Sequence, residues 1–407
     1  MIRARLNVTV EVRNPPRISS NSSATSDTSF IRGSIFSLFF SDLTATFFFL
    51  AATFFLATER YTQIPTANPT GQCREGDPSS RKPGAVHGWK RMVSATEILG
   101  WHSLGDFPSG KVWRLSFFSP ALGLRRFVGI YRTSGKELPR FSPLVIYLFR
   151  GHFSEWFYDR EDPSRERHGT SGPTTLVQLV QASVDRGELP PCLLVFPDFG
   201  GDNREGLTLA VDWKAPELAR DGNFVGGGLG AFETSFRGEF IPRFEDELGL
   251  INPRRAAIGF SLGGLNAVQL ALRNPALFSV VAAYDGSFPY HPVKPDDNIL
   301  EHPLFNPIFG RPADLAHLKA HSPAWLARNL PPSQLRRMRF FLAAGPESSE
   351  PDDSNYYRNK AVVDALAHQG VPNECDMVVE DGRHDWFTAD RFAMDVLHKV
   401  YGNNSQG

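Results

Sequence analysis

The stretch Gly259-Phe260-Ser261-Leu262-Gly263-Gly264 decides the fold. It follows a short apolar run at 256–258 and precedes a helical pattern over 265–272. In this order of strand, sharp turn and helix, a serine on the turn needs small residues two positions before and after it. Glycine occupies both positions, so the sequence predicts that Ser261 is a nucleophile. The alternative is a glycine-rich turn whose serine only caps the helix.

Composition and charge narrow the class of protein. The chain has 407 residues, of which 41% are hydrophobic and 21% charged, as is typical of a soluble protein with a large core. A net charge of −1 gives no reason to expect a nucleic-acid partner. The three cysteines (Cys73, Cys192 and Cys375) are too far apart to indicate a disulfide framework or a metal cluster. We therefore expect no metal and no cofactor, and a reducing, cytoplasmic location.

The first part of the chain has a different character from the rest. Residues 14–29 are rich in Pro, Ser, Asn and Thr, and residues 35–57 are almost wholly apolar. That apolar run is long enough to span a bilayer, and arginines 3, 5, 13, 17 and 32 precede it. We expect residues 1–91 to form a disordered and apolar extension before a catalytic domain over residues 92–402.

Three interpretations of this extension stay open. Met92 is the next methionine after Met1, so residues 1–91 are consistent with a mis-assigned start. Alternatively, residues 35–57 are a membrane anchor or part of an export signal. The first interpretation agrees with a cytoplasmic protein, whereas the other two place it at a membrane or outside the cell. A membrane partner is expected only if residues 35–57 are a real anchor.

Strand-like and helical runs follow one another from about residue 100. Strands are predicted at 112–118, 126–131, 144–149, 192–196, 256–260, 279–284, 339–343 and 375–379. Helices are predicted at 174–184, 233–248, 262–273, 355–368 and 389–401. The first two strands are adjacent and the later ones alternate with helices. This pattern predicts an α/β protein with a mostly parallel central sheet, antiparallel N-terminal strands and helices on both faces.

A serine hydroxyl needs a base to remove its proton, and the usual base is a histidine held by a carboxylate. His384 lies between the last predicted strand and the last predicted helix. Loops at the carboxyl ends of parallel strands meet at one edge of the sheet, which is also the edge that carries Ser261. We therefore predict that His384 is the catalytic base.

The carboxylate that orients His384 is expected in the loop after the predicted strand 339–343. This loop contains four carboxylates: Glu347, Glu350, Asp352 and Asp353. Counting from the end of the strand favours Glu347, and counting back from the next helix favours Asp353. We predict Glu347, because the strand fixes geometry more tightly than a loop of variable length does.

An oxyanion hole needs two N–H groups that point at the developing negative charge. The N–H of Leu262, directly after Ser261, is the first candidate. The second is expected in the loop after the strand at 144–149, where Gly151 permits a tight turn. We predict that the N–H of His152 is this second donor.

Four segments resemble the landmarks of the esterase-D-like α/β-hydrolases. They are Leu148-Phe149-Arg150-Gly151-His152, Val195-Phe196-Pro197-Asp198-Phe199-Gly200-Gly201, the Ser261 turn itself, and Gly382-Arg383-His384-Asp385-Trp386. The family includes feruloyl and acetyl-xylan esterases, S-formylglutathione hydrolases, siderophore esterases and mycolyltransferases. The resemblance covers about residues 110 to 402, and segments 211–213 and 232–242 look most like the mycolyltransferase branch.

The resemblance implies an α/β-hydrolase fold in which Ser261 is the nucleophile and His384 the base. It also implies that the N–H groups of Leu262 and His152 form the oxyanion hole. The acid loop departs from the family pattern, because Ser348 stands where Asp or Glu is common. The acid therefore stays open among the four carboxylates of that loop.

These observations predict a serine esterase that hydrolyses a small-molecule carboxylic ester through a Ser-His-acid triad and an acyl-enzyme. The alternatives are an acyltransferase of the mycolyltransferase type and a catalytically inactive binding protein with the hydrolase fold. Four aromatic residues, Trp156, Phe157, Trp213 and Trp386, are candidates for an aromatic floor of the site or for ordinary core packing. The acyl group, the alcohol group and the oligomeric state are not predicted.

Overall fold

The computed structural model describes residues 97–107, 110–135, 137–150, 156, 174–199, 208–219, 227–290 and 303–402. All of them belong to the second of two compact units, which covers residues 78–407. The predicted extension over residues 1–91, with its apolar run at 35–57, lies outside the described residues. None of the helices in the described ranges combines the length and apolar character needed to cross a membrane.

One eight-stranded sheet organises this unit, in the order β1-β2-β3-β5-β4-β6-β7-β8. Strands β1 to β3 and the β3–β5 pair are antiparallel, whereas β5, β4, β6, β7 and β8 run parallel to one another. The prediction of a mostly parallel sheet with an antiparallel start is therefore confirmed. The strands are β1 Glu97–Phe107, β2 Gly110–Ser119, β3 Leu124–Arg132, β4 Leu144–Phe149, β5 Cys192–Pro197, β6 Arg254–Phe260, β7 Val280–Tyr284 and β8 Arg339–Ala343.

The central strands are apolar along their whole length because helices cover both faces of the sheet. Every residue of β4, β5 and β7 is buried. Successive side chains of β4 belong to different cores: Val145, Tyr147 and Phe149 face one cluster of buried side chains. Leu144, Ile146 and Leu148 face the other. The sheet thus separates two hydrophobic layers, as the alternating predicted elements required.

The helices connect and cover the parallel strands. The α-helices are α1 Leu176–Asp185, α2 Ile241–Glu247, α3 Leu262–Arg273, α4 Asn306–Phe309, α5 Leu315–Ala320, α6 Pro323–Asn329, α7 Pro332–Leu335, α8 Tyr356–His368 and α9 Trp386–Tyr401. Short 3₁₀ turns occupy Pro216–Ala219, Pro303–Phe305 and Glu347–Ser349. The single helix predicted over 233–248 is instead a π-helical segment, Thr234–Phe240, that continues into α2.

The prediction of a last strand over residues 375–379 is wrong. Residues 373–379 make only two isolated parallel bridges, Phe340 with Asn373 and Ala344 with Val378. The Asn373 side chain binds both backbone groups of Leu342. Its Oδ1 accepts from the Leu342 N at 2.7 Å, and its Nδ2 donates to the Leu342 O at 2.8 Å. An amide side chain thus replaces the backbone of a ninth strand. Conversely, β1 is a strand that the sequence patterns did not predict.

Candidate active site

Ser261 lies on the turn between β6, which ends at Phe260, and α3, which begins at Leu262. Its backbone has φ 56° and ψ −122°, in the region that L-residues rarely adopt. A Cβ on Gly259 would lie 2.1 Å from the Gly263 O, and one on Gly263 would lie 1.9 Å from the Phe149 O. Only glycine fits both places, so the two glycines allow the strained turn that presents Ser261.

The neighbouring strand β7 holds this turn through its own carboxyl end. The Ser261 N donates to the Tyr284 O at 3.2 Å, and the Ser287 N donates to the Ser261 O at 3.1 Å. The Ser261 Oγ lies 3.2 Å from the Ser287 Oγ. Ser261 is 6% exposed. The predicted nucleophile is therefore tightly placed, with its hydroxyl beside that of Ser287.

His384, the predicted base, lies beside the residue that precedes Ser261. The His384 ring packs against the Phe260 ring with 4.8 Å between centroids. The His384 Nδ1 is hydrogen-bonded to the Asp285 Oδ2. The His384 side chain is 32% exposed. The structure thus brings the predicted base to the predicted nucleophile's turn and gives it a carboxylate partner.

Three further contacts fix the loop that carries His384. The Tyr284 Oη donates to the Arg383 O at 2.8 Å, and burial raises the pKa of Tyr284, so that this phenol stays a neutral donor. The His384 N donates to the O and the Oδ1 of Asp353 at 3.0 and 3.2 Å. The Asp385 Oδ1 accepts from the Thr388 N at 2.8 Å and caps α9. The position of His384 is therefore fixed by the hydrogen bonds of the loop backbone and by the contact of its ring with Asp285.

Asp285, the carboxylate at His384, directly follows β7 and is fully buried. Its backbone has φ 48°, and its N donates to the Ala343 O at 2.7 Å. Its Oδ1 accepts from the Asn355 N at 2.8 Å, and the Asn355 Nδ2 lies 3.4 Å from its Oδ2. Because both carboxylate oxygens accept hydrogen bonds, the charge of Asp285 can be buried.

The structure does not bring Glu347, the predicted acid, to His384. Glu347 is exposed in the 3₁₀ turn after β8, and its Oε1 accepts from the Tyr357 Oη. Glu350 accepts from the Tyr357 N at 2.9 Å, and Asp352 is exposed. Asp353 reaches only the backbone N of His384.

Asp285 follows β7, whereas the acid was expected in the loop after the next strand, β8. The rule that loops meet at the carboxyl ends of neighbouring strands would have found it. Asp285 is the first residue after a strand that pairs directly with the nucleophile strand, in register Phe260 with Tyr284.

The oxyanion-hole candidates are only half described. The N–H of Leu262 belongs to the first residue of α3, where the helix offers no backbone acceptor to it. His152 lies outside the described residues. In the parts of the chain that the structure describes, no three His, Cys, Asp or Glu side chains are grouped so as to hold a metal ion.

Three of the four candidate aromatic residues lie within the described residues, and two of these three are buried. Trp156 and Trp386 are 1% and 2% exposed and pack edge to face with 5.0 Å between ring centroids. Trp213 is half-buried against the Phe232 ring. Phe157 lies outside the described residues. Trp156 donates to the Phe149 O at 3.2 Å and Trp386 packs against the Phe260 ring, so these two buried side chains belong to the core beside the site and not to an open floor.

This chain is similar to one protein family and to several solved structures. Residues 120–406 match the model of the family described as "Putative esterase". No curated protein sequence gives a match. Among solved structures, a ferulic acid esterase is 21% identical with a TM-score of 0.50, and the match covers 72% of this chain and 97% of that one.

Two further solved structures match over most of this chain. The S-formylglutathione hydrolase of Agrobacterium tumefaciens is 14% identical with a TM-score of 0.48, and the match covers 75% of this chain and 99% of that one. The enterobactin esterase of Shigella flexneri is 18% identical with a TM-score of 0.42, and the match covers 73% of this chain and 60% of that one. The matched residues include strands β3 to β8 and the three segments that carry Ser261, Asp285 and His384. The chain therefore belongs to this esterase family and is a carboxylic-ester hydrolase with the α/β-hydrolase fold.

Proposed function

We propose that this protein hydrolyses a small-molecule carboxylic ester through an acyl-enzyme formed on Ser261, with His384 as the base and Asp285 as the acid. The observation that carries the proposal is the contact between the His384 Nδ1 and Asp285 beside the strained Ser261 turn. A nucleophile, a base and a group that orients the base are the three parts that such a mechanism needs.

The buried Asp285 carboxylate determines which nitrogen of the His384 imidazole carries the proton. An ionised carboxylate accepts a hydrogen bond, so the proton of neutral His384 is held on Nδ1. The lone pair is then on Nε2, which can take the proton of the Ser261 hydroxyl. Asp285 also stabilises the imidazolium that forms once this proton has moved.

Each half-reaction moves one proton through His384. The Ser261 Oγ bonds to the ester carbonyl carbon while its proton passes to Nε2. The N–H of Leu262 and, as the family resemblance implies, the N–H of His152 stabilise the resulting oxyanion. The carbon–oxygen bond to the alcohol breaks, and the alcohol leaves with the proton from His384. Water then attacks the acyl-serine, His384 takes and returns a proton, and the carboxylic acid and free Ser261 are released.

Labelling with a fluorophosphonate probe tests this proposal. We expect the folded wild-type protein to be labelled on Ser261 and to hydrolyse 4-nitrophenyl acetate, and the Ser261→Ala variant to lose both activities. Full hydrolysis by Ser261→Ala would contradict the proposal, and so would labelling at another residue in an active enzyme. A thermal unfolding curve like that of the wild type would show that the variant is folded.

A further inference from the structure

Ser287 lies two residues after Asp285 on the loop that follows β7. Strand β7 pairs with the nucleophile strand in register up to Phe260 and Tyr284, so residues 261 and 285 leave the sheet side by side. Asp285 turns towards His384. Ser287 turns towards Ser261, and its Oγ lies 3.2 Å from the nucleophile's Oγ. One short loop therefore contacts both the base and the nucleophile.

This contact is held in place from behind by helix α8. The Asn359 side chain accepts from the Gly286 N at 3.1 Å and donates to the Gly286 O at 3.0 Å. The Arg358 Nη1 donates to the Phe288 O at 2.8 Å. Helix α8 thus binds the backbone on both sides of Ser287. These hydrogen bonds hold the partly buried Ser287 hydroxyl next to Ser261.

Counting protons gives the direction in which the hydrogen bond must run during catalysis. Each hydroxyl has one proton to donate and two lone pairs. When the Ser261 proton is directed to the His384 Nε2, it cannot also serve Ser287. The Ser287 hydroxyl must then be the donor, to one Ser261 lone pair, while the other lone pair attacks the carbonyl carbon. The Cβ, the proton and the two lone pairs of the Ser261 Oγ then each have one defined partner.

We propose that Ser287 is a further catalytic residue, which donates a hydrogen bond to the Ser261 Oγ and so directs the Ser261 proton towards His384. This inference rests on the proposed acyl-enzyme mechanism. The same bond assists deacylation, because Ser287 donates to the Ser261 Oγ as that oxygen leaves the acyl carbon and recovers its proton from His384.

The test is a pair of variants of equal shape, Ser287→Thr and Ser287→Val, compared with Ser287→Ala and the wild type. The backbone bond from residue 287 to the Ser261 O does not need the side chain, so the turn is expected to persist in all three. For each protein, the rate constant of fluorophosphonate labelling and kcat/KM for 4-nitrophenyl acetate are measured.

We expect Ser287→Ala and Ser287→Val to lose about tenfold in both rate constants, the size of one hydrogen bond. Labelling should still go to completion on Ser261, and Ser287→Thr should react about tenfold faster than Ser287→Val. Equal rates for the Thr and Val variants would overturn the proposal. Wild-type or faster rates in Ser287→Ala would also overturn it, because Ser287 would then only accept from Ser261. A Ser261→Ala variant that still hydrolysed the ester would instead refute the proposed function itself.

Discussion

The His384 Nδ1 is hydrogen-bonded to the Asp285 Oδ2, although the two residues are 99 positions apart in the chain. This bond is the contact that joins the end of β7 and the loop before α9 into one site. Because Asp285 is fully buried and His384 is 32% exposed, the carboxylate is fixed and the imidazole is oriented by it.

Replacing Asp285 by Asn should remove the orienting charge while preserving the size of the side chain. The amide favours the wrong tautomer of His384 and cannot stabilise the imidazolium, so we expect kcat to fall by about 10⁴-fold. Steady-state hydrolysis of 4-nitrophenyl acetate measures this loss. A decrease of less than about tenfold would exclude Asp285 as the acid.

Matched substitutions at the predicted loop serve as controls. Asp353→Asn keeps an oxygen that can accept from the His384 N, so we expect little change in kcat. Glu347→Gln changes an exposed side chain that meets Tyr357, and kcat should be unaffected. If Glu347→Gln abolished activity instead, the acid would belong to the loop after β8.

Gly263→Ala should disrupt the turn that presents Ser261. The added Cβ would lie 1.9 Å from the Phe149 O, so the end of β4 or the start of α3 must move. We expect the free energy of unfolding to fall by about 2 kcal/mol or more and the activity to be lost. Gly238→Ala is the control, because its Cβ meets no atom within 4 Å. Equal stability of the two variants in urea unfolding would contradict the described packing of the turn.

His321 should make the protein less stable in mild acid. This side chain is 5% exposed and its Nδ1 lies 2.7 Å from the His317 O. Burial, followed by the nearby Arg273 guanidinium, lowers the pKa of His321 from 6.5 to about 3. Between these two values the unfolded chain binds more protons than the folded one. Stability therefore decreases as the pH falls through this window, by at most about 1.4 kcal/mol per pH unit.

The substitution His321→Asn isolates this effect, because Asn can still donate to the His317 O but does not titrate. Urea unfolding at several pH values between 4 and 7 should give a flatter dependence on pH for this variant than for the wild type. His368→Asn, at an exposed position, should leave the slope unchanged. Identical slopes for the wild type and His321→Asn would show that His321 does not carry this dependence.

Arg255 and Glu245 form a two-bond ion pair at the other end of the sheet from the site. The Arg255 Nε and Nη2 lie 2.6 Å from the two Glu245 carboxylate oxygens, and the side chains are 22% and 11% exposed. Arg255→Met should cost about 3 kcal/mol, since it leaves a largely buried carboxylate unpaired. The double variant Arg255→Met/Glu245→Leu should recover most of that loss in denaturant unfolding. If the loss of unfolding free energy in the double variant equalled the sum of the losses in the two single variants, the two groups would not be coupled.

The sequence predicted the elements whose signals are local. Helix α3 begins and ends as predicted because glycines and an elbow serine mark its start and Asn274-Pro275 follows its end. The strands from β2 to β8 were found because buried parallel strands are continuous apolar runs. His384 lies beside the Ser261 turn as predicted, although the strand predicted before it does not form, because this segment still runs parallel to β8 at the bridge between Ala344 and Val378.

The position of Asp285 directly after β7 makes it a candidate acid, but spacing alone does not favour it over the carboxylates after β8. Asp285 becomes the partner of His384 because a positive φ turns it out of β7 and because Asn355 of a distant helix binds its carboxylate. Neither feature leaves a mark in the local sequence. Likewise, the apolar run at 375–379 reads as a strand, but the Asn373 side chain occupies the backbone groups of Leu342 that a ninth strand would need.

Trapping the acyl-enzyme tests the central claim most directly. The wild-type protein and Ser261→Ala are mixed with 4-nitrophenyl acetate, quenched in acid within a turnover, and mapped by mass spectrometry of their peptides. The account predicts one acetyl group on Ser261 in the wild type and none in the variant, with a matching burst of nitrophenol from the wild type alone. An acetyl group on a different residue, or turnover by Ser261→Ala, would contradict it.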